Sequence, residues 1–418
     1  MEDILVSIVC ITYNHEAFIK DALEGFLHQN VDFKYEVIVH DDASTDRTPQ
    51  IIKEYEEKYP EIFQCIYENK NQFSIDGGIK MFMNLLKACQ GRYIAFCEGD
   101  DFWIDNHKLQ IQIDWMESHP EYFMTAHNAL RIDYKKYTLT TINPYASEKE
   151  ISQEELIMRY NGNLPTASMI MRDDIKNMEP FFLECGVGDI PIQLYSMSKG
   201  KIYYFDRIMS IYRYNHNGSW CANILGSDSE KVILHYARMI RFAYKYDCYT
   251  KKKYCRLIHD LVLNYLFAII NRCSHLSIFS FKQKIQFLID NSEKDLQEYL
   301  CNIAEAYEQF FSENYIASKL KSFINSHRHV YIYGTGHYGT ILAQKFKYNG
   351  FDYEGFIVSD DFAAKEVYIE KPVYKLFEMC SRTEDMCIIV AVNRALWKEL
   401  RNKLENSKIT EYCYMICI

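Results

Sequence analysis

Apolar segments with strand character alternate with amphipathic helical segments through the first 130 residues. The pattern predicts strands at 5–11, 36–40, 62–67 and 93–97, and helices at 16–29, 49–59, 79–88 and 108–117. Thr48 is expected to cap the second of these helices, because Pro49 suits the first helical position. Continuous apolar strands that alternate with helices predict a mostly parallel α/β sheet with helices on both faces.

The later part of the chain changes its pattern twice. Residues 225–325 have apolar positions at helical spacing and no proline, which predicts a helical segment. From His329 onward, a strand, a Gly-rich turn and a helix begin a new alternation. We therefore predict an α/β domain at 1–222, a helical middle segment at 223–325 and a small α/β domain at 326–418.

The composition of the 418-residue chain is that of a soluble globular protein, with 48% apolar and 25% charged residues. Its formal net charge of −10 disfavours a polyanionic partner, so no nucleic acid is expected to bind. The 14 cysteines are scattered and many lie in apolar runs, which favours reduced thiols over disulfides or a zinc site. A reducing compartment is the expected environment.

Two further features bear on location. The first residues are acidic and precede no small-residue cleavage site, so they predict a strand and not a signal peptide. The strongest later apolar run, 261–270, is about half as long as a bilayer-spanning helix. We expect a cytoplasmic protein. Residues 244–256 interleave lysine with aromatic residues, which indicates either a solvated helix end or a peripheral contact with anionic lipid at the inner face of the membrane.

Three acids, Glu98, Asp100 and Asp101, follow the apolar run in "RYIAFCEGDDFW". Carboxylates this close repel one another, so either a cation lies among them or they face water. The polar segments "TYNHE" and "DDASTD" follow the first and second predicted strands in the same way. Because ligands of parallel sheets bind beyond the carboxyl ends of the strands, the three polar segments predict one binding edge.

Four blocks taken together, "SIVCITYNHEAFI", "EVIVHDDASTDRT", "GRYIAFCEGDDFW" and "GDIPIQLYSMSKGKIYYFDRIMSIYR", resemble family 2 glycosyltransferases of the GT-A fold over roughly residues 4–220. The resemblance implies inverting transfer of a sugar from a nucleotide-diphosphate donor to a glycan or lipid-linked acceptor in bacterial surface polysaccharide synthesis. It also implies a divalent cation, Mn²⁺ or Mg²⁺, whose preferred ligands include carboxylate and phosphate oxygens. A non-catalytic nucleotide-sugar or glycan binding protein on the same fold is the alternative.

The resemblance also assigns roles to particular residues. Glu98 and Asp100 occupy the two acidic places of the family's Asp-any-Asp motif, with Glu in place of the first Asp. The implied donor-binding residues are Thr12, Tyr13, Asn14, Asp41, Asp42, Glu98, Gly99 and Asp100, with Asp42 favoured over Asp41. The implied metal ligands are Asp100, Asp101 and His216, and Arg213 is expected at the diphosphate. A cation there would offset the charge of the departing phosphate.

An inverting transfer needs a base that accepts the proton of the acceptor hydroxyl. The family places this acid at the start of a helix in the later half of the domain, and Asp189 in "GVGDIPIQL" matches that position. Asp189 would also suit a helix cap, and the two roles are compatible. Asp173 and Asp174 are the weaker alternatives for the base.

The C-terminal segment carries "GTGHYGT", in which Gly334, Gly336 and Gly339 follow a predicted strand and precede a predicted helix. This context suits a phosphate at the helix N-terminus, with Asp360 or Asp361 near a ribose. The segment resembles the small Rossmann-like domains appended to bacterial surface-polysaccharide enzymes. A structural role, including assembly into a homo-oligomer, is the alternative, whereas an NAD-dependent oxidoreductase is disfavoured because half of the dinucleotide fold is missing.

Overall fold

The computed structural model describes most of the chain in two compact units, Met1–His275 and Leu276–Ile418. The described residues are 3–143, 147–158, 164–216, 218–219, 229–272, 297, 318–362, 366–380, 385–392 and 396–414. Much of the predicted helical segment, 273–296 and 298–317, lies outside the described residues. The three-part domain division therefore stays a prediction.

A ten-stranded sheet organises the first unit. Its strands are β1 (Val6–Thr12), β2 (Tyr35–Asp41), β3 (Phe63–Tyr67), β4 (Tyr93–Phe96), β5 (Phe102–Trp103), β6 (Tyr122–Asp133), β7 (Thr138–Thr141), β8 (Lys149–Glu150), β9 (Ile170–Arg172) and β10 (Lys201–Tyr214). The order is β3-β2-β1-β4-β9-β6-β10-β5, with β7 on β6 and β8 on β10. The strands β3, β2, β1 and β4 are parallel, as predicted. The other half of the sheet is mixed, because β9 runs antiparallel to both β4 and β6.

All but the last two α-helices described in the first unit lie between its strands along the chain. The helices span Ile19–Leu27, Thr48–Lys58, Gln72–Asp76, Ile79–Ala88, Lys108–Ser118, Gln153–Met158, Asp189–Lys199, Ser229–Tyr249 and Cys255–Arg272. Successive side chains of a strand point to opposite faces of its sheet. Val6, Ile8 and Cys10 of β1 accordingly pack into the main core, whereas Val9 and Ile11 line a pocket on the other face.

The predicted cap of the second helix is wrong in one detail. Thr48 is the first residue of the helix Thr48–Lys58 and not its N-cap, which is Arg47. The Thr48 hydroxyl instead accepts a hydrogen bond from the backbone N–H of His15 at 2.8 Å. It therefore ties the loop after β1 to the loop after β2.

No helix in the described ranges is long and apolar enough to cross a membrane.

The second unit contains a six-stranded sheet that begins where the new alternation is predicted. Its strands are β11 (His329–Tyr333), β12 (Gly355–Val358), β13 (Val367–Tyr368), β14 (Lys371–Lys375), β15 (Met386–Val390) and β16 (Tyr412–Tyr414). Helices span Ser318–Asn325, His337–Asn349, Leu376–Met379 and Trp397–Asn406. The order β13-β14-β12-β11-β15-β16 places the parallel neighbours β12 and β15 on either side of β11. A second α/β sheet is thus present, and its kinship with Rossmann-like domains stays a prediction.

Candidate active site

The carboxyl ends of β1, β2 and β4 lie side by side, so the three polar segments meet at one edge of the sheet. Thr12, the last residue of β1, pairs with Asp41, the last residue of β2. On the other side of β1, Val9 pairs with Phe96 at the end of β4. The three polar segments therefore lie at one edge of the sheet, as predicted, and ligand binding at this edge stays a prediction.

The loops after β1 and β2 hold each other in place. Asn14 has a left-handed backbone with φ 56°, and its side-chain oxygen accepts a hydrogen bond from the Thr45 N–H at 2.8 Å. The Asn14 N–H donates to the Ser44 hydroxyl at 2.8 Å. Asn14 thus shapes the loops, whereas Tyr13 beside it is 43% exposed and presents its ring to solvent.

The adjacent acids Asp41 and Asp42 have different surroundings. Asp42 accepts hydrogen bonds from the backbone N–H groups of Gln72 at 2.6 Å and Phe73 at 3.1 Å, and so holds the start of the helix Gln72–Asp76. Asp41 accepts from the Ser44 N–H through Oδ2, but its buried Oδ1 has no hydrogen-bond partner among the described residues. A buried acceptor without a partner is costly, so Asp41 keeps an acceptor that a hydrogen-bond donor could satisfy, whereas both oxygens of Asp42 are already engaged.

Asp100 faces two imidazoles. Its Oδ2 lies 3.0 Å from Nε2 of His216 and 3.8 Å from Nε2 of His15. Burial alone would raise the pKa of Asp100, but His15 and the hydrogen bond from His216 outweigh it and lower the pKa below its usual value. Asp100 is therefore a carboxylate at neutral pH, in contact with two imidazole rings.

Asp101 is bound to the sheet and not to the imidazoles that face Asp100. Its Oδ1 accepts a hydrogen bond from the backbone N–H of Arg213 at 2.9 Å. Burial, together with the charges of Asp100 and Glu98, raises the pKa of Asp101 well above its usual value. The three predicted metal ligands therefore do not lie together. His216 contacts Asp100, whereas the carboxylate of Asp101 is bound to the backbone of β10. In the part of the chain that the structure describes, no group of three or more His, Cys, Asp or Glu side chains could hold a metal ion.

Arg213 contacts the turn formed by Glu98, Gly99, Asp100 and Asp101, which we call the acidic turn. Its guanidinium donates to the carbonyl of Asp100 at 2.9 Å and to the carboxylate of Asp21. The same group lies 4.4 Å from the ring centroid of Phe102 and 4.9 Å from that of Phe18. These contacts favour a positioning role for Arg213 over the diphosphate contact expected from the sequence, because its charge is already paired within the fold.

Glu98 and Asp189 reach the same pocket from distant parts of the chain. Asp189 is the first residue of the helix Asp189–Lys199, as predicted, but it is not the cap, because the N-cap is Gly188. The pocket, with a volume of about 200 Å³, is lined by both acids and by Thr166. Burial raises the pKa of Glu98 to about 8, and the charges of Asp100 and Asp189 add to the shift. The raised pKa favours the protonated form of Glu98, which can donate a hydrogen bond.

The two weaker candidates for a base do not line this pocket. Asp174 accepts a hydrogen bond from the Tyr195 hydroxyl at 2.9 Å and pairs with Lys199 at 3.1 Å. Asp173 lies 3.8 Å from the amine of Lys176. Both acids are thus engaged away from Glu98.

His15 is a site residue that the sequence reasoning missed. Besides facing Asp100, its Nδ1 lies 3.1 Å from the hydroxyl of Thr12. Burial lowers the pKa of His15, against the charge of Asp100, which raises it. The residue stands in the quoted segment "TYNHE", but only the contact with Asp100, 85 positions later, distinguishes it from an ordinary loop histidine. Thr166, in the segment "NLPTAS", gives no comparable signal in the sequence.

The three glycines of the segment "GTGHYGT" differ in how much space surrounds them. A Cβ on Gly339 would lie 2.0 Å from the Gly334 carbonyl oxygen, and a Cβ on Gly334 would lie 2.7 Å from the Ala391 carbonyl oxygen. A Cβ on Gly336 would meet nothing within 4 Å. Asp360 accepts a hydrogen bond from the Phe377 N–H at 2.9 Å. Backbone packing thus accounts for two of the three glycines, and a ligand site in this unit stays a prediction.

This packing leads to a test within the second unit. Gly339→Ala should loosen β11 and the helix His337–Asn349, since overpacking typically costs about 1–3 kcal/mol, whereas Gly336→Ala should leave them intact. Hydrogen–deuterium exchange of peptides covering 329–350 measures both. Equal exchange in the two variants would contradict a packing role for Gly339.

Comparison with known proteins adds to this geometry. Residues 7–176 match the family model described as "Glycosyl transferase family 2". "Uncharacterized protein Rv1520" of Mycobacterium tuberculosis is 34% identical over 220 residues, which cover 51% of this chain and 60% of that protein. The chain thus spans less than two thirds of that relative. "UDP-Glc:alpha-D-GlcNAc-diphosphoundecaprenol beta-1,3-glucosyltransferase WfaP" of Escherichia coli is 29% identical over 219 residues, covering 52% of this chain and 80% of that one.

Among solved structures, S. aureus TarS 1-349 in complex with UDP-GlcNAc superposes with a TM-score of 0.51. The match covers 83% of this chain and 89% of the TarS chain at 16% sequence identity. At that identity the likeness concerns the fold.

Proposed function

Residues 7–176 form a glycosyl transferase family 2 domain on a GT-A-like sheet, and we propose on this premise that the protein transfers a sugar from a nucleotide-diphosphate donor to a glycan or lipid-linked acceptor. The convergence of Glu98 and Asp189 on one pocket, beside the edge that carries Asp41 and Asp100, is the observation that carries the proposal. WfaP is named for a UDP-Glc donor, and the TarS structure contains UDP-GlcNAc, which supports the donor class.

The loops after β1 and β2 would receive the nucleoside. Oδ1 of Asp41 can accept a hydrogen bond from a base N–H or a ribose hydroxyl, because it has no partner in the described fold. The exposed ring of Tyr13 can stack on the base. Asn14, Asp42 and Gly99 would act indirectly by holding these loops, since a Cβ on Gly99 would lie 2.7 Å from the Thr12 side chain.

Asp100 and His216 fit a divalent cation as a partial ligand set. A carboxylate and an imidazole suit Mn²⁺, and the remaining ligands would come from the diphosphate and water. Such a cation neutralises charge on the leaving diphosphate when it is bound. The residues' own contribution is orientation, since Arg213 fixes the backbone of Asp100 and His15 favours its ionised form.

Asp189 would act as the general base. As the acceptor oxygen attacks the anomeric carbon, the bond between that carbon and the diphosphate oxygen breaks, and the hydroxyl proton passes to the Asp189 carboxylate. Attack on the face opposite the leaving group inverts the anomeric configuration. The position of Asp189 at the first turn of a helix and at the pocket wall supports this role.

Surface polysaccharide synthesis in bacteria is the proposed setting. The name of WfaP describes an undecaprenol-linked acceptor, which supports a lipid-linked acceptor here. A protein that works on such an acceptor would sit at the cytoplasmic face of the membrane. The exposed lysines Lys251, Lys252 and Lys253, between the helices Ser229–Tyr249 and Cys255–Arg272, are the proposed contact with anionic lipid.

One observation favours the non-catalytic alternative. Glu98 occupies the first acidic place of the motif, and burial raises its pKa to about 8, which favours its neutral form. A neutral acid at this place gives less charge to hold a cation than two carboxylates would. A nucleotide-sugar binding protein without turnover would tolerate that loss.

A donor screen tests the proposal. The full chain would be incubated with UDP-, GDP- and dTDP-sugars in Mn²⁺ or in EDTA, and thermal stabilisation and donor hydrolysis would be measured. We expect at least one nucleotide sugar to stabilise the protein and to be hydrolysed slowly, in both cases more strongly with Mn²⁺. Binding without hydrolysis, and without transfer to a prenyl-diphosphate sugar, would favour the non-catalytic alternative. No binding to any donor would contradict both functions.

A further inference from the structure

The pocket that Glu98 and Asp189 share is apolar over most of its surface. Its apolar lining includes Val9, Ile11, Met81, Phe82, Phe96 and Ile192. Its polar side chains are Glu98, Thr166 and Asp189, which lie near one another, since both Thr166 and Asp189 influence the pKa of Glu98. A ligand in this pocket therefore meets hydrogen-bonding side chains in one cluster and apolar side chains elsewhere.

Four backbone groups in the pocket wall are already paired within the fold. The Gly77 N–H donates to the Phe73 carbonyl, and the Gly78 carbonyl accepts from the Phe82 N–H. On the opposite side, the Gly186 N–H donates to the Leu183 carbonyl, and the Gly188 carbonyl accepts from the Ile192 N–H. A ligand hydroxyl directed toward these four groups would meet partners that already have a hydrogen bond.

The size of the pocket limits its occupant to part of a substrate. Pockets that enclose a drug-sized ligand typically measure about 300–1,000 Å³, whereas this one measures about 200 Å³. A single sugar ring is closer to that size than a nucleotide is. The proposed base Asp189 lies in the wall, and the glycosyl group of the donor must come within reach of the acceptor that this base serves.

We propose that the pocket receives the glycosyl group of the donor and selects a 6-deoxy sugar, whose methyl group contacts the apolar lining while its ring hydroxyls bind Glu98 and Thr166 and leave Asp189 to the acceptor. The inference rests on the proposed function and adds a substrate class to it. A hexose with a hydroxyl at C6 would place that group against Val9, Phe82 or Ile192. Apolar pockets reject an added hydroxyl by about 10²-fold, which sets the scale of the expected selectivity.

Matched donors test the selectivity on the unaltered full chain. The pairs are GDP-L-fucose with GDP-L-galactose, GDP-D-rhamnose with GDP-D-mannose, and UDP-6-deoxy-D-glucose with UDP-D-glucose. Members of a pair share nucleotide and configuration and differ in the C6 hydroxyl. In the pair that is bound best, we expect the deoxy donor to show a kcat/KM for hydrolysis about 10–10²-fold higher. UDP-GlcNAc is included as a further donor. It shows whether the pocket prefers a methyl group at C6 or the methyl group of an acetamido substituent.

Two matched variants locate the effect in the pocket. Val9→Thr adds a hydroxyl to the pocket lining at nearly constant volume and should reduce the deoxy preference to about 3-fold or less, because the C6 hydroxyl then gains a partner. Val39→Thr makes the same change in the adjacent strand β2. Val39 packs into the main core and does not line the pocket, so the preference should stay unchanged.

The outcomes separate this inference from the proposed function. Equal use of both members of every pair, or a preference for UDP-GlcNAc without a deoxy preference, would overturn the deoxy selectivity and leave the glycosyltransferase function standing. Equal effects of Val9→Thr and Val39→Thr on the preference would also overturn it. If no nucleotide sugar binds, both proposals fail.

Discussion

Replacing Asp189 with asparagine is expected to reduce sugar transfer by about 10²–10⁴-fold, the usual contribution of a general base. Asparagine keeps the size of the side chain and can still begin the helix Asp189–Lys199, but it cannot accept the acceptor's proton. The loss should appear in kcat, because the interaction is made in the transition state. Donor affinity, measured by calorimetry with the nucleotide sugar found in the screen, should stay near that of the unaltered protein.

Asp174→Asn is the matched control for this experiment. Asp174 is also an acid of the later half of the domain, but it binds Tyr195 and Lys199 and does not line the pocket. Its replacement should lower stability slightly and leave transfer almost unchanged. If Asp189→Asn transferred sugar at a near-normal rate while Asp174→Asn did not, the base would have to be reassigned to Asp174.

The second large effect is expected at Asp100. Asp100→Asn removes the carboxylate that faces His216 and His15, so the affinity for a nucleotide-diphosphate sugar in Mn²⁺ should fall by about 30-fold or more. This corresponds to the lower end of the about 2–5 kcal/mol lost when one partner of a buried, hydrogen-bonded charge pair is truncated. Affinity in EDTA should change little, so the stimulation by Mn²⁺ should disappear. Calorimetric titration in the two buffers measures the difference.

The neighbouring acid offers a control with the same substitution. The side-chain oxygen of asparagine at position 101 can still accept the hydrogen bond from the Arg213 N–H, which is the contact that Asp101 makes in the fold. Asp101→Asn should therefore bind donor and Mn²⁺ almost normally. Equal losses in the two variants would show that the acidic turn acts as a unit and would contradict the separate roles assigned to its acids.

The parts of the fold that were predictable from sequence depend on local periodicity. The parallel strands β1 to β4 were predictable because their apolar runs alternate with helical segments. The binding edge was predictable because parallel strands present their carboxyl ends together. The start of the helix at Asp189 follows from the preceding glycines and the apolar pattern after it. The cap at Thr48 was wrong because its hydroxyl serves a backbone N–H 33 residues away.

The individual roles of the acids were not predictable, since each depends on a partner that is distant in the chain. Asp42 accepts hydrogen bonds from backbone N–H groups 30 and 31 residues later in the chain. Asp101 accepts one from a backbone N–H group 112 residues later. Arg213 reaches back 192 residues to Asp21. A motif shows that carboxylates gather at one edge, but not which of their oxygens are already satisfied.

The amino-acid sequence by itself determined the α/β sheet, the edge that gathers Thr12, Asp41 and the acidic turn, and the position of Asp189 at a helix start. These features follow from residue types and their spacing over one or two turns or strands. The tertiary structure decided that Asp41 keeps one oxygen without a partner among the described residues and that Asp100 faces two imidazoles. It further decided that Asp42 and Asp101 accept backbone N–H groups and that Arg213 pairs with Asp21. It also decided the apolar lining shared by Glu98 and Asp189. The physical reason is that hydrogen-bond satisfaction and burial are set by side chains and backbone groups that meet only when the chain is folded.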